Sequence, residues 1–140
     1  NWVFFRIISV VVSRFSHRLP MNYEAKKIRL TCAEETVREW ASFMLAHLNE
    51  VSSALQQEGV RHELWYIGAD DVSLFIIGVM DVDDKAASVA VSKKSQLSVD
   101  VIHRQFKVHW DRSSIEKLRI ERLHVPRFEG CELLFEARAN

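Results

Sequence analysis

VRHELWYIGADDVSLFIIGVMDV, residues 60–82, holds two β-rich runs, 60–67 and 72–82, separated by Gly68-Ala69-Asp70-Asp71. Glycine and aspartate tolerate the unusual dihedrals of a tight turn, so the pair reads as a β-hairpin. The first run alternates imperfectly. The second, from Leu74 to Met80, is apolar on both sides, as expected of a central strand covered on both faces. That strand therefore needs a cover on its second face.

Upstream of the hairpin, Ile28 and Leu30 alternate with Lys27, Arg29 and Thr31, which marks residues 21–32 as a half-buried first strand. Thr31-Cys32-Ala33-Glu34 has the T-x-x-E form of a capping box. Val37, Trp40, Ala41, Met44, Leu45, Leu48, Val51 and Leu55 then recur every three or four residues, predicting one long amphipathic helix that ends near Glu58, with Gly59 as its left-handed stop. Downstream, the acids Asp81, Asp83 and Asp84 precede a short helix over 85–91, where they suit the positive end of its dipole. Residues 98–111 carry both a helical stripe (Val99, Ile102, Phe106, Trp110) and a strand-like alternation (Phe106, Val108, Trp110), and helix is the reading adopted. Residues 116–125, and the run in which Cys131, Leu133 and Phe135 alternate with Glu132, Leu134 and Glu136, are read as late strands. Strand, helix, strand, strand, helix, then strands is a ferredoxin-like α+β order, an antiparallel sheet with helices on one face. On this reading the opposite sheet face is bare, and a homodimer is expected to cover it.

Composition narrows the function classes. The 140 residues suit one domain over 21–140, and the balance of 19 basic against 19 acidic residues makes no global electrostatic case for nucleic acid. Residues 1–20 differ from the rest: Arg6, Arg14 and Arg18 occur with no acid, which leaves the remaining 120 residues at a formal charge of −3. Their longest low-polarity run, 7–13, is far short of the roughly 20 residues that cross a bilayer, and no small-residue cleavage pattern follows. The segment is expected to be a poorly packed extension, with Met21 as a natural start, and the chain to be cytoplasmic and without membrane contact. Cys32 and Cys131 lie far apart and outside any metal-binding spacing, so free thiols are expected. No histidine pair has zinc spacing, and no Walker, Rossmann or nucleophile-elbow glycine pattern occurs, so neither a metal nor a cofactor is implied.

Arg38-Glu39-Trp40 on the long helix, the Gln57-Glu58-Gly59-Val60 exit into the hairpin, and His103-Arg104-Gln105-Phe106 together carry a resemblance spanning about residues 27–110. The chain resembles a family of small uncharacterised bacterial proteins with the dimeric α+β barrel, a domain of unknown function. The wider superfamily includes sugar mutarotases and cofactor-free monooxygenases that bind small molecules in a cleft between sheet and helices, and the resemblance implies such a cleft here. Rhamnose mutarotases are similar in the helix, the glycine exit and the hairpin. Their helix-one histidine, counted back from the glycine, falls at Met44, with His47 one turn off, so no catalytic role carries over.

The candidate chemistry rests on two segments. Alternation along the first hairpin strand sends His62, Leu64 and Tyr66 to one face and Glu63 and Trp65 to the other. A histidine beside a tyrosine or carboxylate exchanges protons near neutral pH, as mutarotation or enolisation requires. In a helical 98–111, His103, Lys107 and Trp110 share one stripe, placing a base, a cation and an aromatic side by side. The expectation is a small homodimer that binds an organic molecule for cofactor-independent isomerase, mutarotase or monooxygenase chemistry. In it His62 or His103 is the proton shuttle and Trp65, Tyr66, Lys107 and Trp110 line the ligand site. The competing expectation is a non-catalytic dimerisation or interaction domain in which the histidines are incidental.

Overall fold

The computed structural model describes residues 21–140, so the expected extension over 1–20 lies outside the described residues. Five strands form one open antiparallel sheet in the order β4-β1-β3-β2-β5: β1 is Tyr23–Arg29, β2 Val60–Ala69, β3 Leu74–Val82, β4 Glu116–Lys117 and β5 Glu132–Arg138. Among the described residues, four helices connect them: α1 Glu34–Ala46, α2 Leu48–Glu58, α3 Lys85–Lys94 and α4 Ser98–Phe106. The hairpin forms as expected, with Ile67 opposite Ile76 and Trp65 opposite Gly78. Asp70 closes its turn by accepting from the backbone N–H of Val72 and Ser73 and gripping the Arg29 guanidinium with both oxygens at 2.8 Å. The strand between the parallel pair β1 and β2 is β3, which makes the first half of the chain a split β-α-β unit.

The long helix of the sequence reading is broken at His47. Its backbone leaves helical geometry (φ −128°, ψ 35°), its ring Nδ1 lies 2.7 Å from the Phe43 carbonyl oxygen, and the ring stacks on Phe43 at 4.1 Å. The imidazole therefore takes the carbonyl that the N–H of residue 47 would use in a continuous helix. The capping box does not form either. Ala33 is the N-cap of α1, and Thr31 donates its hydroxyl to the His109 carbonyl 3.1 Å away, because β1 ends at Arg29 and Leu30 bridges to Trp110 instead. Of the three clustered acids, only Asp84 caps α3, accepting from Ala87 N–H at 3.0 Å; Asp81 and Asp83 hold the Arg61 guanidinium.

The helix adopted for 98–111 forms, and of the strand-like alternation only the single bridge of Trp110 to Leu30 is present. Helix α4 runs to Phe106, a single 3-10 turn covers Lys107–His109, and Trp110 is extended. Residues 116–125 are not a strand beyond Glu116–Lys117, although Leu118 N–H still donates to the Ala25 carbonyl and Tyr23 N–H to the Arg122 carbonyl.

The helices cover one sheet face, where Trp40, Met44, Leu55, Val99 and Phe106 meet Ile28, Trp65, Ile76 and Phe135. The expected bare second face is overturned. Tyr23, Ala25, Leu64, Ile77 and Val79 are buried there, Val79 completely, beneath Leu118, Ile120, Phe128 and Cys131. The chain's own segment between β4 and β5 supplies the second layer that the apolar β3 requires, so that strand gives no reason to invoke a second copy. Cys32 and Cys131 are free and half-buried. Among the described residues, no helix is long and apolar enough to cross a membrane.

Candidate functional site

Alternation along β2 divides the sequence-derived candidates between the two faces. His62 and Tyr66 lie on the face covered by the 118–131 segment, Trp65 on the helix face with His103, Lys107 and Trp110.

His62 is only 1 % exposed. Its Nδ1 is 2.9 Å from Tyr23 Oη and its Nε2 2.9 Å from Glu136 Oε2. Because an ionised carboxylate only accepts, Nε2 carries the proton and Nδ1 accepts from the tyrosine hydroxyl. Burial lowers the His62 pKa, with Glu136 opposing, which keeps the ring neutral. The chain Tyr23–His62–Glu136 has the form of an activated hydroxyl, but Tyr23 is also only 1 % exposed. Tyr66 donates to the Pro126 carbonyl at 3.0 Å, pinning the covering segment. These residues hold the second face together.

The helix face has an opening. Two adjoining cavities, of about 70 and 140 Å³, lie between the sheet and helices α3 and α4, and both are lined by Trp65, Met80, Lys85, His103 and Lys107. Gly78 makes the floor. The Trp65 ring lies flat over it, so close that a Cβ there would stand 2.6 Å from the indole. Trp65 Nε1 donates to Glu63 Oε1 at 2.8 Å, the i, i+2 spacing along β2 having put both on this face. His103 sits between three indoles, its ring centroid 5.6 Å from Trp40, 5.4 Å from Trp65 and 5.9 Å from Trp110. No described residue hydrogen-bonds to its ring nitrogens.

The electrostatics of the cleft are those of ionisable groups that burial drives toward their neutral forms. Burial, reinforced by Lys107 and Lys85, pushes the His103 pKa down to about 3, so the imidazole is neutral at physiological pH. Burial pushes Glu58, beside Glu63 and Asp100, up to about 8. Burial also raises Glu63, against the pull of the Trp65 hydrogen bond, and Asp100. It lowers both Lys85 and Lys107. Buried polar atoms normally find partners. Here Trp40 Nε1, Trp110 Nε1 and Asp100 Oδ2 are buried without one among the described residues. Such a concentration of perturbed groups around one cavity is the usual physical mark of a functional site. Among the described residues, no three His, Cys, Asp or Glu side chains gather to hold a metal ion.

Sequence reasoning missed Glu58, Lys85 and Asp100 and placed Glu63 without using it. Glu63 was legible from its spacing to Trp65. Lys85, Glu58 and Asp100 enter only because helix packing closes over the same patch of sheet.

Against this geometry stand the comparisons with known proteins. The profile of a family of unknown function (DUF6176) matches residues 21–129, and the chain belongs to that family. No curated protein matches the chain. No solved structure matches it.

Proposed function

We propose that the protein binds a small organic molecule in the cleft between sheet and helices and moves a proton on it without a cofactor, in isomerase- or mutarotase-type chemistry. The observation that carries this is His103: an imidazole lining both cavities, walled by three tryptophans, with no described residue using its nitrogens. A pKa near 3 makes it a poor proton carrier at neutral pH and a good fixed neutral hydrogen-bonding partner. The proton-carrying role passes to Glu63 and Glu58, whose raised pKa values bring a carboxyl toward the working pH. Trp65 and Trp110 serve as walls, and His62 and Tyr66 as structural members of the other face. Nothing in this array singles out oxygen chemistry, so monooxygenation is the weaker form of the reading. The split β-α-β order supports a ferredoxin-like assignment.

A thermal-shift screen of sugars, lactones and phenolic compounds against the wild type and His103→Gln tests the proposal. Compounds that raise Tm in the wild type and lose that effect in the variant support it; a screen in which no compound binds, or binding that ignores His103→Gln, overturns it.

Dimerisation is a second reading with one observation in its favour. The outer edge of β5 is unpaired among the described residues, and Leu133 on it is 41 % exposed. Light scattering over a range of concentrations separates a monomer from a copy-to-copy pairing along that edge.

A further inference from the structure

Resting on this reading of the cleft, we propose that its ligand is a small organic oxyanion, a carboxylate or a phosphate ester, whose negative group sits among the ammonium groups of Lys26, Lys85 and Lys107. The larger cavity is lined by these three lysines and by a single acid, Glu24. That acid is already engaged, 3.8 Å from Arg122 Nη2 and 3.9 Å from Lys117 Nζ.

Lys85 stands in a position with three costs. It is half-buried, its ammonium lies 2.8 Å from Met80 Sδ with no carboxylate within ion-pair distance among the described residues, and it is the first residue of α3, where the helix dipole opposes positive charge. A surface position or an uncharged residue would remove all three. Lys107 also lacks a carboxylate partner among the described residues, its ammonium standing 5.2 Å from the Trp110 ring centroid. A desolvated cation without a partner is costly, and an anion arriving from outside relieves that cost. Glu58, Glu63 and Asp100 line the smaller cavity, and none of them lies within ion-pair distance of Lys85 or Lys107.

Lys85 and Lys107 line both cavities, Lys26 stands only at the larger one, and the carboxyls of Glu58, Glu63 and Asp100 stand only at the smaller. A molecule whose anionic group lies on the lysines presents its other end to Glu63. A cavity of roughly 150 Å³ takes one benzene-sized molecule, so a single ring or a short chain fits.

Calorimetric titration of the full chain with benzoate, its neutral counterpart benzamide, and inorganic phosphate tests this. Benzoate or phosphate is expected to bind about ten-fold or more tighter than benzamide, since hydrogen bonds to a charged group are stronger than those between neutral ones. Lys85→Met and Lys107→Met are expected to abolish that preference. Raising salt on the wild type alone gives the same decision where a variant does not fold, because screening weakens the anions and spares benzamide. Whether benzoate or phosphate binds more tightly tells which oxyanion the lysines fit. Benzamide binding as tightly as both anions would overturn the oxyanion proposal while leaving the cleft reading intact. Absence of any binding, neutral compounds included, would overturn both.

Discussion

Replacing Glu58 with glutamine should stabilise the protein, and by an amount that grows with pH. In the folded chain burial raises this carboxyl from its ordinary 4.5 to about 8. The folded state thus binds its proton more tightly than the unfolded state. Its contribution to stability is fully present below about pH 4.5 and is lost as pH rises toward 8. Each pH unit well inside that window is worth about 1.4 kcal/mol. Linkage between the two values puts the wild type behind the glutamine variant by about 1 kcal/mol at pH 5 and about 3 kcal/mol at pH 7, levelling just under about 5 kcal/mol above pH 8. Glutamine keeps the size and never ionises, so it does not suffer this loss. Urea unfolding of both proteins at pH 5, 6, 7 and 8 gives the difference directly. A gap that does not widen with pH, or a variant less stable than wild type at pH 7, would refute the claim that the cleft holds a carboxyl against its own solvation. The expected gain is also what a binding site predicts, since poised groups are maintained at the expense of stability.

Gly78→Ala should cost about 1–3 kcal/mol, because a Cβ 2.6 Å from the Trp65 ring forces the indole off the cleft floor and away from Glu63; denaturant unfolding that matches wild type would show that the floor gives way freely. Tyr23→Phe should lower stability by about 1–3 kcal/mol by leaving a buried His62 nitrogen unpaired, with cleft affinity unchanged; a lost affinity would move the site to the other face. The folded pKa of His62 lies below its ordinary value, so its contribution to stability is constant above about pH 6.5 and is lost as pH falls below it. His62→Gln should flatten that acid limb in a pH series of unfolding curves. Phe128→Ser should loosen the 118–131 segment, lower stability by about 2 kcal/mol and promote self-association seen by light scattering, whereas an unchanged mass and stability would show that Phe128 does not hold the cover in place.

The hairpin and the helical stripes were legible because each is written in local periodicity, two residues for β2 and three to four for α1, α2 and α4. The face to which each β2 side chain points followed from the same alternation, and so did the separation of Trp65 from Tyr66. Long-range competition was not legible. Thr31 has the sequence of a helix cap and donates its hydroxyl to His109, 78 residues away. His47 breaks the helix through one bond to the Phe43 carbonyl, a choice that amphipathic spacing does not record. The expected partner copy came from reading β3 correctly as doubly covered and then assigning its second cover to the wrong chain. Leu118 and Ile120 alternate in sequence like strand residues, and nothing local signals that they lie with Phe128 across the sheet face. The site itself was half visible: the stripe His103, Lys107 and Trp110 does line one cavity, while Lys85, Glu58 and Asp100 belong to other elements and meet it only in the folded chain.

The central claim is that ligand chemistry belongs to the helix-face cleft and not to the buried His62 network. Nitrogen-15 NMR of the indole and imidazole groups, recorded while the best compound from the thermal-shift screen is titrated in, reads both faces at once. The account predicts that the Trp65, Trp110 and His103 signals move together and saturate while those of His62 stay in place. Movement of His62 with the three cleft signals unaffected would contradict it.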